Sequence, residues 1–343
     1  METTTVIETS RLLLREMTPA DRPALCRILQ DSEVMYAYNG PFSDEEVDEW
    51  LERQLARYRQ YGYGLWAVVL KATGEIIGQC GLTLQQWNGR EMLEAGYLFQ
   101  RSHWHQGYAT EAARACMDYA FGTLNSPLVC SIIRDNNLPS QQVALRNGMT
   151  RRPGVMAKHY RGAEMPHWLF VRPRTIRTLR YHSPCGEMLL GAAGDRLCLC
   201  NWAQELHPGR VEQRLRILLK AQFEECGHIL PEVLQRTIRE LDEYFRGERR
   251  DFDIPLLLAG SDFQKRVWQQ LPRIPYGQTA SYGELAAAIG SPRSVRAVAN
   301  ANGANAISII LPCHRIIGSD GRLTGYGGGL RAKQFLLKLE QKK

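Results

Sequence analysis

Along residues 1–173 the apolar positions alternate between a period of two and a period near 3.6, which predicts strands interleaved with helices. Ser10 to Arg15 reads as a strand, and Thr18-Pro19 opens a helix that runs toward Leu29. A second helix begins near Ser43, with Asp44, Glu45 and Glu46 at the positive end of its dipole. Strands are predicted at Leu65–Lys71, Glu75–Leu82 and Met92–Gln100, the first two joined by a tight turn at Ala72-Thr73-Gly74. A helix over Gly107–Phe121, a strand over Leu128–Ile133, a helix over Leu138–Asn147 and a last strand over Trp168–Val171 complete this half. The polar, basic stretch Arg172 to Arg177 reads as a break. Beyond it come strands at Thr178–His182, Glu187–Ala192 and Arg196–Trp202, then helices around Val211–Leu219 and Leu230–Phe245. From Ser261 to Lys338 the pattern is mostly helical. There is no internal repeat and no low-complexity segment.

Length supports two or three domains, and the pattern divides the chain at 1–173 and 174–343. Charge sharpens that division. Residues 1–173 hold 18 Lys and Arg against 19 Asp and Glu, whereas residues 174–343 hold 25 against 17, so the whole basic excess falls in the second half. A neutral half followed by a basic half implies that only the second meets a polyanion. Apolar runs such as Leu65–Leu70 are far shorter than the ~20 residues of a spanning helix, and the acidic N-terminus lacks an apolar signal core. No membrane partner is expected. The nine cysteines fit no even disulfide framework and contain no CxxC pair; Cys198 and Cys200 alternate like buried strand residues, so no metal site is expected. Free thiols imply a cytoplasmic location.

In the first half, the strand Glu94 to Gln100 runs through Arg101–His105 into Gln106-Gly107-Tyr108-Ala109-Thr110, where small residues open a helix. Free backbone N–H groups there suit a diphosphate, although Gly-x-Ala before a helix also serves ordinary close packing. The frame around it resembles the GNAT-fold acetyltransferases of the ribosomal-protein N-acetyltransferase type over residues 7–172. The likeness is carried by Thr9 to Arg15, Ile76-Ile77-Gly78, Gly81-Leu82, Gly96-Tyr97, and Asn137-x-x-Ser140 with Arg146-Asn147-Gly148-Met149. It implies that Leu98 and Phe99 pair with the pantetheine arm of acetyl-CoA, and that Gln106, Gly107, Tyr108, Ala109 and Thr110 hold its pyrophosphate. Asn137 would sit beside the cofactor, and Ser140 would protonate the leaving thiolate or merely cap its helix. Trp104 replaces the family's Arg or Gln, and the tyrosine many members carry near Ala144 is absent. No residue stands out as general base, so the acceptor amine is left as a protein N-terminus or a small molecule.

In the second half, Ile309 to Pro312 leads an apolar run into Cys313-His314-Arg315, whose basic neighbours favour a thiolate. Upstream, a helix that ends near Gly290, the Ser291-Pro292-Arg293 turn and a second helix that carries Ser294 to Val298 have helix-turn-helix spacing. With Tyr276-Gly277-x-Thr279-x-Ser281-Tyr282 and Gly321 to Gly329, this array resembles the O6-alkylguanine-DNA alkyltransferases from about Thr178 to the end. The resemblance implies a small ribonuclease-H-like subdomain at 174–257, then a helix-turn-helix, winged-helix-like active-site domain at 258–343, giving an α/β and α+β chain overall. It makes Cys313 the alkyl acceptor and His314 its base, linked through a water to Glu340. Asn305 braces the loop, Tyr282 donates toward N3 of guanine, and Arg296, with Ser294 and Arg315, meets DNA. Tyr326, Gly327 and Gly328 cover the flipped base. Ala306 replaces the family's proline, which would loosen that loop. A monomer is expected, acting on double-stranded DNA containing O6-alkylguanine, with no cofactor for the alkyl step. The alternative is an alkyl-damage-sensing DNA-binding regulator whose acetyltransferase half binds CoA without catalysing. Cys313, with no second cysteine-rich domain, favours repair.

Overall fold

The structure, a computed structural model, describes residues 4–204, 209–227 and 229–341. It separates into two compact units, Met1–Arg174 and Thr175–Lys343.

In the first unit the strands are β1 (Thr5–Glu8), β2 (Leu12–Arg15), β3 (Leu65–Leu70), β4 (Ile76–Trp87), β5 (Arg90–Phe99), β6 (Leu128–Arg134), β7 (Thr150–Arg151), β8 (Met156–Tyr160) and β9 (Ala163–Pro173). They form one sheet in the order β1-β2-β3-β4-β5-β6-β9-β7, with β8 paired to β9. The helices are α1 (Arg22–Leu29), α2 (Asp44–Tyr61), α3 (Tyr108–Gly122) and α4 (Leu138–Arg146). Ser43 starts α2 through a capping box with Glu46, and Gly62 ends it in the left-handed conformation. β4 and β5 pair along their full length because Asn88 and Gly89, both at positive φ, make the two-residue turn that matches strand twist. The strand expected at Leu82 therefore runs on to Trp87. Alternation in β1, β7 and β8 was too brief to read, and β9 begins five residues before the expected Trp168.

The functionally important feature is a divergence. β5 and β6 are parallel neighbours that share a single register pair, Glu94 with Cys130. Ser131 Oγ donates to Ala95 O at 2.8 Å, and Ile132 N donates to the Glu94 carboxylate at 2.8 Å. A side chain thus takes the place of the next ladder bond, and the strands part beyond it.

The stretch expected as a break is extended instead: Arg172 and Pro173 end β9, and Thr175 opens the next strand, with only Arg174 between them. The second unit has a sheet ordered β12-β11-β10-β13, built from β10 (Thr175–Ser183), β11 (Gly186–Ala193), β12 (Arg196–Trp202) and β13 (Gln222–Glu225). α5 (Arg210–Leu219) and α6 (Glu232–Phe245) accompany it, α6 burying Val233, Leu234, Leu241 and Tyr244. Cys198 and Cys200 are packing residues, 1% and 0% exposed. Then follow α7 (Asp262–Gln270), α8 (Tyr282–Ala288), α9 (Val295–Gly303) and α10 (Gly329–Gln341), with the short parallel pair β14 (Ala280–Ser281) and β15 (Ile316–Ile317). The expectation of a mostly helical segment fails for residues 304–328, which hold only a 3-10 turn and β15. Their apolar run packs a loop onto the end of β12, not a helix face. Among the described residues no helix is long and apolar enough to cross a membrane.

Candidate functional site

Cys313 opens a 3-10 turn, Cys313–Arg315, at the end of a loop that is held by hydrogen bonds throughout. Asn305 donates from Nδ2 to Leu311 O at 2.9 Å and to Cys313 Sγ at 3.2 Å, and its Oδ1 accepts from Ile307 N at 2.9 Å. Cys200 N donates to Ala306 O at 2.8 Å and Ser308 N returns to Cys200 O at 2.6 Å. Alanine at 306 has therefore not left this loop loose. The tight path puts Ile309, a β-branched residue, at φ 72°, a conformation that costs of order 1–3 kcal/mol and persists only where surroundings over-determine it.

The sequence implied a water between His314 and Glu340; the structure has none of that gap. His314 Nε2 lies 2.7 Å from Glu340 Oε1, both side chains fully buried. Glu340 also accepts from Tyr244 OH at 2.8 Å, Arg315 Nε at 2.9 Å and Gly277 N at 3.2 Å. Burial opposes its ionisation, but the hydrogen bonds of His314 and Arg315 and the guanidinium charge prevail and hold its pKa at about 2. An ionised carboxylate only accepts, so Nε2 carries the histidine proton. Burial pushes the His314 pKa down, against the pull of Glu340, leaving a neutral ring. Its Nδ1 is buried with no protein partner, so the basic lone pair is free.

Two further expectations change. Arg315 is 4% exposed, ion-paired to Glu340 and donating to Ile274 O at 2.7 Å; a guanidinium so committed cannot reach DNA. The neighbours of Cys313 also do not make it a resting thiolate. Burial pushes its thiol up, partly countered by Asn305 and by the charge of Lys333. Lys333, which sequence reasoning missed, is fully buried on α10, donates to Thr324 O at 2.8 Å and has its pKa pushed down to about 8 by burial. Its seven-residue spacing from Glu340, two turns along one helix face, was the available signal.

Tyr326 is buried, its ring edge-on to His314 at 6.4 Å and to Trp202 at 5.9 Å between centroids. A Cβ on Gly328 would stand 2.4 Å from the Trp202 indole, so this position admits only glycine, and Gly327 lies beside the same ring. Tyr282 begins α8, its hydroxyl accepting from Thr324 Oγ1 at 3.4 Å. α8 is capped by Ser281 with Glu284; Ser294 precedes α9, and Arg296 projects exposed from its first turn. Tyr276 supports the cluster from below, with the Arg315 guanidinium 5.7 Å from its ring centroid.

The first unit has a groove of about 1000 Å³. Leu98, Phe99, Gly107, Tyr108, Ala109, Thr110, Asn137 and Ser140 line it, where β5 leaves β6 and α3 begins. Gly107 sits at φ 82° as the N-cap of α3, leaving the N–H groups of its first turn without intrahelical partners. Asn137 caps α4 by accepting from Ser140 N at 3.1 Å, while Ser140 O accepts from Tyr97 OH at 3.1 Å. Gln106 does not line the groove; its carbonyl accepts from Arg11 at 3.0 Å. Arg11 and Thr9 also bind Glu111 of α3, at 2.7 and 2.6 Å, which explains why this opening sequence accompanies this loop. Trp104 ties back to Phe99 O at 2.9 Å.

A buried thiol beside a histidine–glutamate pair, in a unit whose helix-turn-helix carries an exposed arginine, defines a cysteine group acceptor that works at DNA. Residues 176–258 match the family described as "6-O-methylguanine DNA methyltransferase, ribonuclease-like domain", and residues 262–342 match its "DNA binding domain". A methylated-DNA–protein-cysteine methyltransferase of Methanosarcina barkeri is 57% identical over 159 residues, 46% of this chain and 93% of its own length. The chain belongs to that methyltransferase family through its second half. Residues 11–150 match the "Acetyltransferase (GNAT) domain". Among solved structures, an O6-methylguanine methyltransferase of Mycobacterium tuberculosis is 41% identical, covering 49% of this chain and 92% of that one at a TM-score of 0.41. An acetyltransferase of Agrobacterium tumefaciens is 30% identical, covering 50% and 94% at 0.42.

Proposed function

We propose that the second half repairs double-stranded DNA by moving an alkyl group from O6 of guanine, and from O4 of thymine, onto Cys313. The observation that carries this is the Asn305–Cys313 and His314–Glu340 arrangement. O6 inside a stacked pair is out of reach of a thiol that is 5% exposed, so the base must leave the helix. Arg296 fills the gap, with Ser294 beside the backbone, and Tyr326, Gly327 and Gly328 cover the extruded base. His314 Nδ1 takes the thiol proton through a water on the cysteine side of the ring, and Glu340 stabilises the imidazolium. The thiolate then forms a C–S bond as the C–O bond breaks, and Tyr282 delivers a proton to N3 of the departing guanine. The product is a thioether that nothing here reverses, so each chain acts once and needs no cofactor for this step.

The first half acts as an acetyltransferase of the ribosomal-protein N-acetyltransferase type. The residues present fit acetyl-CoA, whose pyrophosphate would meet the N–H groups from Gly107 to Thr110 and whose pantetheine would lie along Leu98 and Phe99 beside Asn137. The bound cofactor supplies an activated acetyl thioester. Ser140 returns a proton to the leaving thiolate. The protein is a cytoplasmic monomer with domains at 1–173, 174–257 and 258–343. Duplex DNA carrying a tritiated O6-methylguanine tests the main reading: label transfer should stop at one equivalent per chain. Continued turnover would overturn it.

A further inference from the structure

The groove of the first unit is lined by many more residues than those assigned to the coenzyme, and the part around Trp50 has a composition of its own. Four rings pack edge to face there: Tyr38 against Phe42 and Trp50 at 6.0 Å, and against Tyr160 at 5.6 Å. All four line the groove. Among the described residues lining this part, the charged side chains are unequal in number. Glu46 is ion-paired to Arg161. That leaves Glu94 facing Arg53, Arg57, Arg134 and Lys158. None of these four cations has an ion pair with a carboxylate: Arg53 lies 5.4 Å from the Trp50 ring centroid, Arg57 donates to the neutral Gln54, and Arg134 donates to Tyr36 O. The Arg134 Nε is buried with no partner at all. Several cations facing one carboxylate in a partly dry cavity are costly unless a ligand brings negative charge.

We propose that this part of the groove is the acetyl-acceptor site and that it takes a small apolar or aromatic amino acid, an amine that carries its own carboxylate. The proposal rests on the acetyltransferase reading above. Lys158, Arg57 and Arg134 hold the substrate carboxylate, and the ring cluster receives its side chain. Glu94 takes the ammonium proton. Its position suits the task, because it sits where β5 and β6 part, the point at which a thioester carried along β5 meets an acceptor. Its carboxylate accepts one backbone hydrogen bond, from Ile132 N, and has capacity for more. Burial pushes its pKa above the usual carboxylate value, against Lys158 and Arg57, which makes it a better base. Tyr38, Tyr97, Cys130 and Tyr160 are also titratable groups close enough to feel its charge. In the reaction the free amine nitrogen forms a bond to the acetyl carbon and the C–S bond breaks. Of the two protons the ammonium loses, one goes to Glu94 and on to solvent, the other to the thiolate through Ser140.

The test is acetylation by the full chain, followed by chromatography, of L-phenylalanine, L-phenylalaninamide and 2-phenylethylamine, with acetyl-CoA binding measured separately by calorimetry. Phenylalanine should exceed both carboxylate-free amines at least tenfold in kcat/KM. Lys158→Gln should remove most of that preference by lowering kcat/KM for phenylalanine about tenfold more than for the amide, and Glu94→Gln should lower kcat for every amine and abolish the acid limb of the pH profile. Equal or better use of the amide, or no acetylation of phenylalanine by a chain that binds acetyl-CoA, overturns the proposal. Failure to bind acetyl-CoA at all overturns the acetyltransferase reading beneath it.

Discussion

Glu340→Gln removes one charge from a fully buried cluster, and its cost can be worked in two ways. Holding the carboxyl pKa at about 2 against an ordinary 4.5 corresponds to roughly 3 kcal/mol of stabilisation of the ionised form. The second route starts from Arg315, whose guanidinium is 5% exposed and has Glu340 as its ion-pair partner. Stripping one partner from a buried pair costs about 3–5 kcal/mol. The two agree on about 3–4 kcal/mol, or roughly 10 °C in the unfolding midpoint of a unit this size. Because the folded pKa is depressed, this contribution is complete above pH 4.5 and disappears as pH falls toward 2. The wild-type chain should therefore lose about 3 kcal/mol more stability across that window than the variant. Tyr244→Phe, which deletes one hydrogen bond to the same ionised carboxylate, should cost about 2 kcal/mol. Calorimetric scans of the transition of the second unit from pH 7 to pH 2.5 read all three quantities. At pH 7, reaction with free benzylguanine should also slow by about 10²-fold or more, since the imidazolium loses its counter-charge. A Glu340→Gln chain as stable as wild type at pH 7, with the same acid profile, would refute the claim that this carboxylate is ionised and anchors the cluster.

Three shorter predictions concern DNA and the coenzyme. Arg296→Ala should slow repair of duplex DNA far more than reaction with free benzylguanine, which needs no base extrusion; equal slowing would assign the residue to the pocket or the fold. Gly107→Glu should remove acetyl-CoA binding by calorimetry, because the position needs a positive φ and the new side chain brings volume and negative charge to a diphosphate site; unchanged affinity would refute the site. Residues 175–343 expressed alone should repair methylated DNA at a rate near that of the full chain, with affinity falling steeply as salt rises, whereas an insoluble or inactive fragment would show that the halves depend on each other.

What the sequence made legible and what it hid follow from the range of the signals. Hairpins, capped helices and the helix-turn-helix are local, so Ser43, the Gly74 turn and the Ser291-Pro292-Arg293 turn could be read directly. Cys313, His314, Asn305, Tyr282 and Arg296 were legible because a spaced motif ties them together. Arg315 was misread because adjacency to Cys313 says nothing about which way a side chain turns: in a 3-10 turn it faces inward to Glu340. Lys333, Tyr244 and Trp202 were missed for the complementary reason. Each meets the site through tertiary packing from a segment far away in sequence, and a buried lysine looks in sequence like any solvated helix charge. Glu94 escaped notice as one acidic residue on a strand; its setting exists only because β5 and β6 diverge there.

The central claim is that Cys313 receives the alkyl group. The most direct test is peptide mass spectrometry of the full chain after incubation with duplex DNA containing O6-methylguanine, with Cys313→Ala in parallel. One methyl group should appear on the peptide containing Cys313 in proportion to guanine restored, and the variant should bind DNA yet acquire none. Methylation of any other residue, or repair by the variant, would contradict the account.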